Sequence, residues 1–231
     1  MARLVLITGA AGNLGRAVAE VFVRNGDTVA LLGRSRESLA RVYGAEDAQH
    51  LFVAADLLQP QALQEALREL ASRGGGVEVL CNLAGGFSMG ETVHATPAAD
   101  WQLMHDLNVR TLLHAVQAVV PGMVARGHGK VVNVGANAAL RGAALMGAYA
   151  AAKSQVLRLT ESMAAELREH GINVNCVLPS IIDTPENRAA MPKADPARWV
   201  TPRQLAEVIA FLASDAAGAV HGAGIPVVGL S

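Results

Sequence analysis

Short apolar runs recur along this chain, each followed by a longer stretch with helical spacing. That alternation is the sequence form of a parallel sheet joined by crossover helices. Leu4-Val-Leu-Ile7 is the first run and ends in Thr8-Gly9. Leu14, Val18, Val21 and Phe22 then repeat at helical spacing until Gly26 stops the pattern. Thr28 to Leu32, Leu51 to Ala54, Val77 to Cys81, Lys130 to Val134, Ile172 to Leu178 and Ile225 to Val228 read as further strands. Helices are expected at 61–72, ended by Gly74-Gly75-Gly76, from Ala98 to Ala125, at 147–169, and from Pro202 to Ser214. A short helix precedes Leu51. No repeat or linker divides the chain, so one domain over 1–231 is expected. The exception to regular structure is 179–200, with Pro179, Pro185, Pro192 and Pro196; a loop of this length reads as a lid over a substrate, spanning about 180–200.

Composition narrows the function classes. Hydrophobic residues make up 52% of the chain and charged residues 17%, which excludes disorder. A net charge of -1 argues against nucleic-acid or anionic-membrane partners. No apolar run reaches the roughly 18 residues of a membrane span. The chain runs from Met1 almost directly into a strand, which leaves no room for a signal peptide, and a cytoplasmic location is expected. Cys81 and Cys176 lie in apolar runs and read as buried thiols in a reducing compartment. No His, Cys, Asp and Glu cluster has metal-ligand spacing, so no metal is expected, and His105 and His114 read as interface or surface residues.

Thr8-Gly-Ala-Ala-Gly-Asn-Leu-Gly15 lies between the first strand and the first helix. Gly9, Gly12 and Gly15 allow a tight turn and close approach to phosphate, and Asn13 and Leu14 open a helix whose free N–H groups favour an anion. This strand–turn–helix setting identifies a dinucleotide site in a Rossmann-type, doubly wound parallel α/β sheet of about seven strands. An acidic residue at the end of the second strand would hold the ribose 2′-hydroxyl of NAD; this chain reads Gly33-Arg34-Ser35-Arg36 there. A guanidinium suits a 2′-phosphate, so NADP(H) is expected over NAD(H), with Arg34, Ser35 and Arg36 around the phosphate. The competing reading is a solvated basic turn that opens a helix. Asp56-Leu57 is placed to receive the adenine edge, and Asn82-Leu-Ala84-Gly85 to border the cofactor's ribose.

Tyr149 and Lys153 are four apart in a helical stretch and so share one face. A phenol of pKa about 10 is a poor acid–base catalyst at neutral pH. A nearby ammonium stabilises phenolate, which is expected to bring Tyr149 towards the working range and make it a proton donor. In isolation such a pair is commonly a surface pair; its place after a nucleotide-binding half is what singles it out.

With these residues in view, the chain resembles the short-chain dehydrogenase/reductases over nearly its whole length. The matching pieces are Thr8 to Gly15, Asp56-Leu57, Asn82 to Gly85, Leu107-Asn108-Val109, Tyr149 to Lys153 and Pro179-Ser-Ile-Ile182-Asp-Thr184. The resemblance implies an NAD(P)-dependent oxidoreductase in which Asn108, Tyr149 and Lys153 are catalytic, Asn108 holding a water linked to Lys153. It also implies that Pro179, Ile182 and Thr184 border the nicotinamide, with Thr184 on its carboxamide. The family's catalytic serine falls at Ala136 in this chain. A substrate that needs no such donor, substitution by Asn137, or a non-catalytic nucleotide binder would each account for that. Gly135 to Gly142, the glycine spacing and the Pro179 to Trp199 stretch look like the dihydropteridine reductase branch, which also lacks the serine.

The expected activity is reduction of a small carbonyl or conjugated, pterin- or quinone-like substrate by hydride from NADPH. The rival is a non-catalytic NADP(H)-binding sensor or scaffold. Met89, Met146, Met191 and Trp199 would cover a flat ring or serve packing alone, and the long helices at 98–125 and 147–169 suggest a homodimer or homotetramer.

Overall fold

The apolar runs in the middle of the sheet form strands that are buried on both faces, which is why they lack the alternation of a half-exposed sheet. The computed structural model describes residues 2–231. Its first half comprises β1 (Leu4–Thr8), α1 (Asn13–Arg24), β2 (Thr28–Gly33), α2 (Arg36–Tyr43), β3 (His50–Ala54), α3 (Pro60–Gly74) and β4 (Val79–Asn82). Two helices, α4 (Ala98–His105) and α5 (Thr111–Arg126), lead to β5 (Gly129–Val134), then α6 (Gly147–Leu167) and β6 (Ile172–Pro179). The chain ends with α7 (Pro185–Ala190), α8 (Pro202–Leu212) and β7 (Gly224–Val227). All neighbouring strands are parallel, in the order β3-β2-β1-β4-β5-β6-β7, so the chain reverses its direction of travel across the sheet between β1 and β4.

β1 shows how the two layers are built. Leu4 and Leu6 enter the core shared with Leu63, Leu70, Met123 and Val156, whereas Val5 and Ile7 enter the one shared with Val18, Phe22, Leu205 and Ile209. Full burial of one such side chain contributes about 1.5–3 kcal/mol. Among the described residues no helix is long and apolar enough to cross a membrane.

Three boundaries differ from expectation. The helix expected to run unbroken from Ala98 to Ala125 is divided by a widened π-type turn at Asp106–Arg110, which contains Asn108. Helical periodicity gives no sign of it, because one extra residue in a turn scarcely disturbs the apolar pattern. β4 begins at Val79 rather than Val77, whose carbonyl accepts from the Arg126 guanidinium. The proline-rich stretch contains α7, where Thr184 accepts from the Asn187 N–H as N-cap and Pro185 takes the first helical position. Its two ends are tied together by Val200 N–H to Ile181 C=O (3.0 Å) and Asp183 N–H to Val200 C=O (2.8 Å).

Candidate active site

The turn after β1 is held by its own backbone. Gly9 has φ +65°, and a Cβ there would stand 3.0 Å from the Ala84 nitrogen; one on Gly15 would stand 2.5 Å from two carbonyl oxygens, those of Gly9 and Ala10. Packing alone therefore requires these two glycines. Gly12 is different: a Cβ there would meet nothing closer than 3.4 Å, so its open side is room that the protein leaves unused. The Thr8 hydroxyl accepts from the N–H groups of Leu83 (3.0 Å) and Ala84 (3.1 Å), joining the carboxyl ends of β1 and β4. The second tyrosine, Tyr43, donates to the Ala10 carbonyl at 2.7 Å and braces the turn from α2. Asn13 and Leu14 begin α1, where free N–H groups face the opening. A bare tight turn, an unfilled approach at Gly12 and a helix N-terminus together fit a dinucleotide diphosphate.

At the end of β2, Arg34 is exposed and pairs with no carboxylate among the described residues. Ser35 caps α2 by accepting from the Ser38 N–H at 3.2 Å. Arg36 departs from expectation: it is committed to Glu46, which also pairs with Arg73 at 2.8 Å and accepts from the Phe52 N–H. The basic cluster is thus one free guanidinium and one neutralised. Gly33 leaves no carboxylate at the ribose position, and a Cβ on it would meet the Leu39 side chain at 3.0 Å.

Asp56 is exposed beyond β3 and its carboxylate accepts from the Leu58 N–H at 2.9 Å, while the Leu57 side chain turns into the core, leaving only backbone towards an adenine. The Asn82 side chain is turned into the interior, away from the place expected of the ribose. It is 4% exposed, and its amide donates to Asn133, which donates in turn to Thr160 on α6. This side chain ties β4, β5 and α6 together, because its position in β4 points it to that face of the sheet.

Lys153 and Asn108 converge next to Gly85, and the Tyr149 ring stands beside Lys153. A Cβ on Gly85 would stand 2.8 Å from Asn108 Oδ1 and 3.3 Å from Lys153 Nζ, so only glycine permits this approach. Asn108 accepts from the Gly86 N–H and donates to the Gly86 and Met104 carbonyls. Lys153 donates to the Val134 carbonyl at 2.9 Å, with Nζ 5.9 Å from the centre of the Tyr149 ring. Phe87 packs edge-on against that ring at 4.9 Å. Burial raises the Tyr149 phenol to about 12 and lowers the Lys153 ammonium to about 8. The expected downward shift of Tyr149 is therefore not seen: loss of solvent around the phenol outweighs an ammonium that is itself desolvated. Ala136 is buried in extended backbone (φ -160°, ψ 158°) and offers no hydroxyl, and Asn137 is exposed at the start of a single 3-10 turn.

A model of the short chain dehydrogenase family matches residues 3–195. The chain belongs to the short-chain dehydrogenase family. It is accordingly an NAD(P)-dependent oxidoreductase. This short-chain dehydrogenase is 36% identical to sorbitol dehydrogenase of Cereibacter sphaeroides over 183 residues, 78% of this chain and 71% of that protein. It is 32% identical to 2-(R)-hydroxypropyl-CoM dehydrogenase of Xanthobacter autotrophicus, covering 97% of this chain and 96% of that one. Among solved structures, gluconate 5-dehydrogenase of Burkholderia cenocepacia in complex with NADP and tartrate superposes with a TM-score of 0.90 at 28% identity, covering 98% of this chain and 94% of that chain. A 3-oxoacyl-[acyl-carrier protein] reductase of Brucella melitensis with bound NAD superposes with a TM-score of 0.87 at 29% identity, over 98% and 90% of the two chains.

The remaining residues of this short-chain dehydrogenase lie around the segment after β6. Pro179 ends β6, Ile182 pairs with Val200, and the Thr184 hydroxyl is engaged as the cap of α7. Glu186 on α7 accepts from the Asn13 amide at 2.9 Å, so this segment reaches back to the glycine-rich turn, a contact with no sequence signature. Arg188 forms a two-point pair with Asp183, and Trp199 is buried at the foot of the segment.

Proposed function

We propose that this protein is an NADP(H)-preferring reductase of small carbonyl or conjugated, quinone-like compounds, with Tyr149 as proton donor. The approach of Lys153 and Asn108 to Gly85, with the Tyr149 ring beside Lys153 Nζ, at the carboxyl ends of β4 and β5, carries this reading. The bound nicotinamide supplies hydride to the carbonyl carbon of the substrate. Tyr149 gives its hydroxyl proton to the carbonyl oxygen, and a phenol held near 12 arrives protonated at neutral pH. The Lys153 ammonium steadies the phenolate left behind, and Asn108 fixes the Gly85–Gly86 backbone that faces them. The exposed, unpaired Arg34 supports a 2′-phosphate, with Ser35 beside it. Gly9, Gly12, Asn13, Leu14 and Gly15 would hold the diphosphate, Asp56 and Leu57 the adenine edge, Ala84 and Gly85 the ribose, and Pro179, Ile182 and Thr184 the nicotinamide. Residues 183–199 would close over the substrate as a lid.

Ala136 supplies no donor to a developing alkoxide, a loss that typically costs about 10²–10³ in rate. That favours acceptors whose charge is spread over a conjugated system, quinone-like ones among them. The relatives' names give the pterin branch no separate support. A groove lined by Trp101 and His105 of α4 and Ala148 and Ala152 of α6 supports pairing of two copies through these helices.

The test is oxidation of NADPH and NADH in the presence of ketones, quinones and a quinonoid dihydropterin. Turnover with NADPH preferred is the expected result. Tight NADPH binding without turnover of any acceptor would instead assign a sensor role.

A further inference from the structure

Leu145 is the only non-glycine residue among the described residues with a positive φ, at 64°. This left-handed backbone strains a leucine and leaves a glycine unstrained. The conformation is held by a hydrogen bond from the Gly90 N–H to the Leu145 carbonyl, 2.9 Å long, which joins the loop after β4 to the loop before α6. Internal packing does not explain the choice of leucine, because its side chain is 40% exposed.

The neighbourhood shows the same pattern. Phe87 is 58%, Met89 56%, Val93 63% and Leu140 56% exposed, so with Leu145 five of the eight large hydrophobic side chains left open to solvent lie on these two loops. Leu145 is four residues before Tyr149 in the turn that leads into α6, and Phe87 is in contact with the Tyr149 ring. Leu145 and Met89 border one recess, whose other wall carries Glu91 and Asp100, neither of them in an ion pair among the described residues. Exposed apolar side chains on adjoining loops, one of them on strained backbone, mark a binding surface. The two carboxylates repel an anionic group there.

We propose that Leu145 is a specificity-determining residue, whose strained backbone presents an apolar wall, shared with Phe87 and Met89, to the neutral apolar substituent of the carbonyl substrate. This rests on the reductase reading above and names its substrate class: neutral carbonyl compounds with an alkyl or aryl arm, conjugated ones turned over faster for want of a donor at Ala136, in preference to keto acids.

The test compares methyl ketones of increasing chain length with 2-keto acids of matched length, using the NADPH complex of wild type, Leu145→Gly and Leu145→Asn. Asparagine tolerates the left-handed backbone but is polar, so it separates side chain from backbone. The wild type is expected to favour long neutral ketones in kcat/KM. Both variants are expected to reduce the long-to-short ratio about 10-fold, the scale of a hydrophobic pocket contact. The glycine variant should melt no lower than wild type. The proposal is overturned if wild type is indifferent to chain length, if keto acids are preferred, or if Leu145→Asn keeps the preference. Ketone-induced shifts in the melting temperature of the NADPH complex give a readout independent of turnover. Shifts that grow with chain length in wild type and vanish in both variants, without turnover, would leave Leu145 in place and reject the reductase reading. Equal turnover of every ketone by all three proteins would do the reverse.

Discussion

The turn after β1 and the loop before α6 are both irregular and both border the candidate site, yet different forces shape them. In the turn, the unusual backbone is demanded from within: Gly9 and Gly15 are the residues that let β1, α1 and the Ala84 segment approach. In the loop, the strained residue is Leu145, and the protein gains little internal packing from it. The first region is built by the fold, and the second is shaped for something outside the chain. On the proposed reading, nucleotide recognition sits on a frame fixed by internal packing, and substrate choice on two exposed loops that can vary without disturbing it.

The sharpest way to break this comparison lies within the turn itself. Gly15→Ala is expected to destabilise the protein by about 3 kcal/mol, because the new methyl meets backbone that cannot move aside. Gly12→Ala has space on the protein side and is expected to leave stability within about 0.5 kcal/mol of wild type, while nucleotide affinity falls. Thermal melts and NADPH titrations of both variants check this. Equal destabilisation by the two would remove the distinction between a packing glycine and a ligand glycine.

At the edge of β2 the expected effect is smaller. Arg34→Ala should weaken NADPH binding about 10–100-fold, the scale of a charge-assisted hydrogen bond, with NADH changed little. Arg36→Ala should leave both affinities nearly unchanged, since Glu46 already holds that guanidinium.

The smallest effect is a stability change with pH. Lys153 is depressed to about 8 in the folded chain, whereas in the unfolded chain it titrates near 10.5. Between these values the unfolded chain binds more protons, so this residue makes stability rise with pH from about 8 to 10.5. Below pH 8 the full cost of burying the charge is present. Lys153→Met should flatten that rise in a pH series of melting temperatures; an unchanged slope would show that Lys153 is not the group responsible.

Much of this was legible in the chain, and what was not has physical causes. The seven strands announce themselves because a sheet buried on both faces needs continuous apolar runs. Gly9 and Gly15 are visible for a similar reason, since backbone approach leaves no alternative residue. Arg36 misleads because Glu46, its partner, is distant in sequence and joined to it only by the fold. Asn82 misleads because a strand residue next to a site faces either side of the sheet, and this one faces Asn133. The Asn13–Glu186 contact and the strain at Leu145 have no local signature, because each depends on segments far apart in the chain.

The central claim is that Tyr149 delivers the proton, and its replacement by phenylalanine isolates the hydroxyl while keeping the ring that packs against Phe87. The decisive measurement is kcat for ketone reduction by Tyr149→Phe, alongside its NADPH dissociation constant. The account predicts a fall of about 10²–10⁴ in kcat, with NADPH affinity within a few-fold of wild type. Full activity in Tyr149→Phe, or a loss explained entirely by weaker NADPH binding, would contradict it.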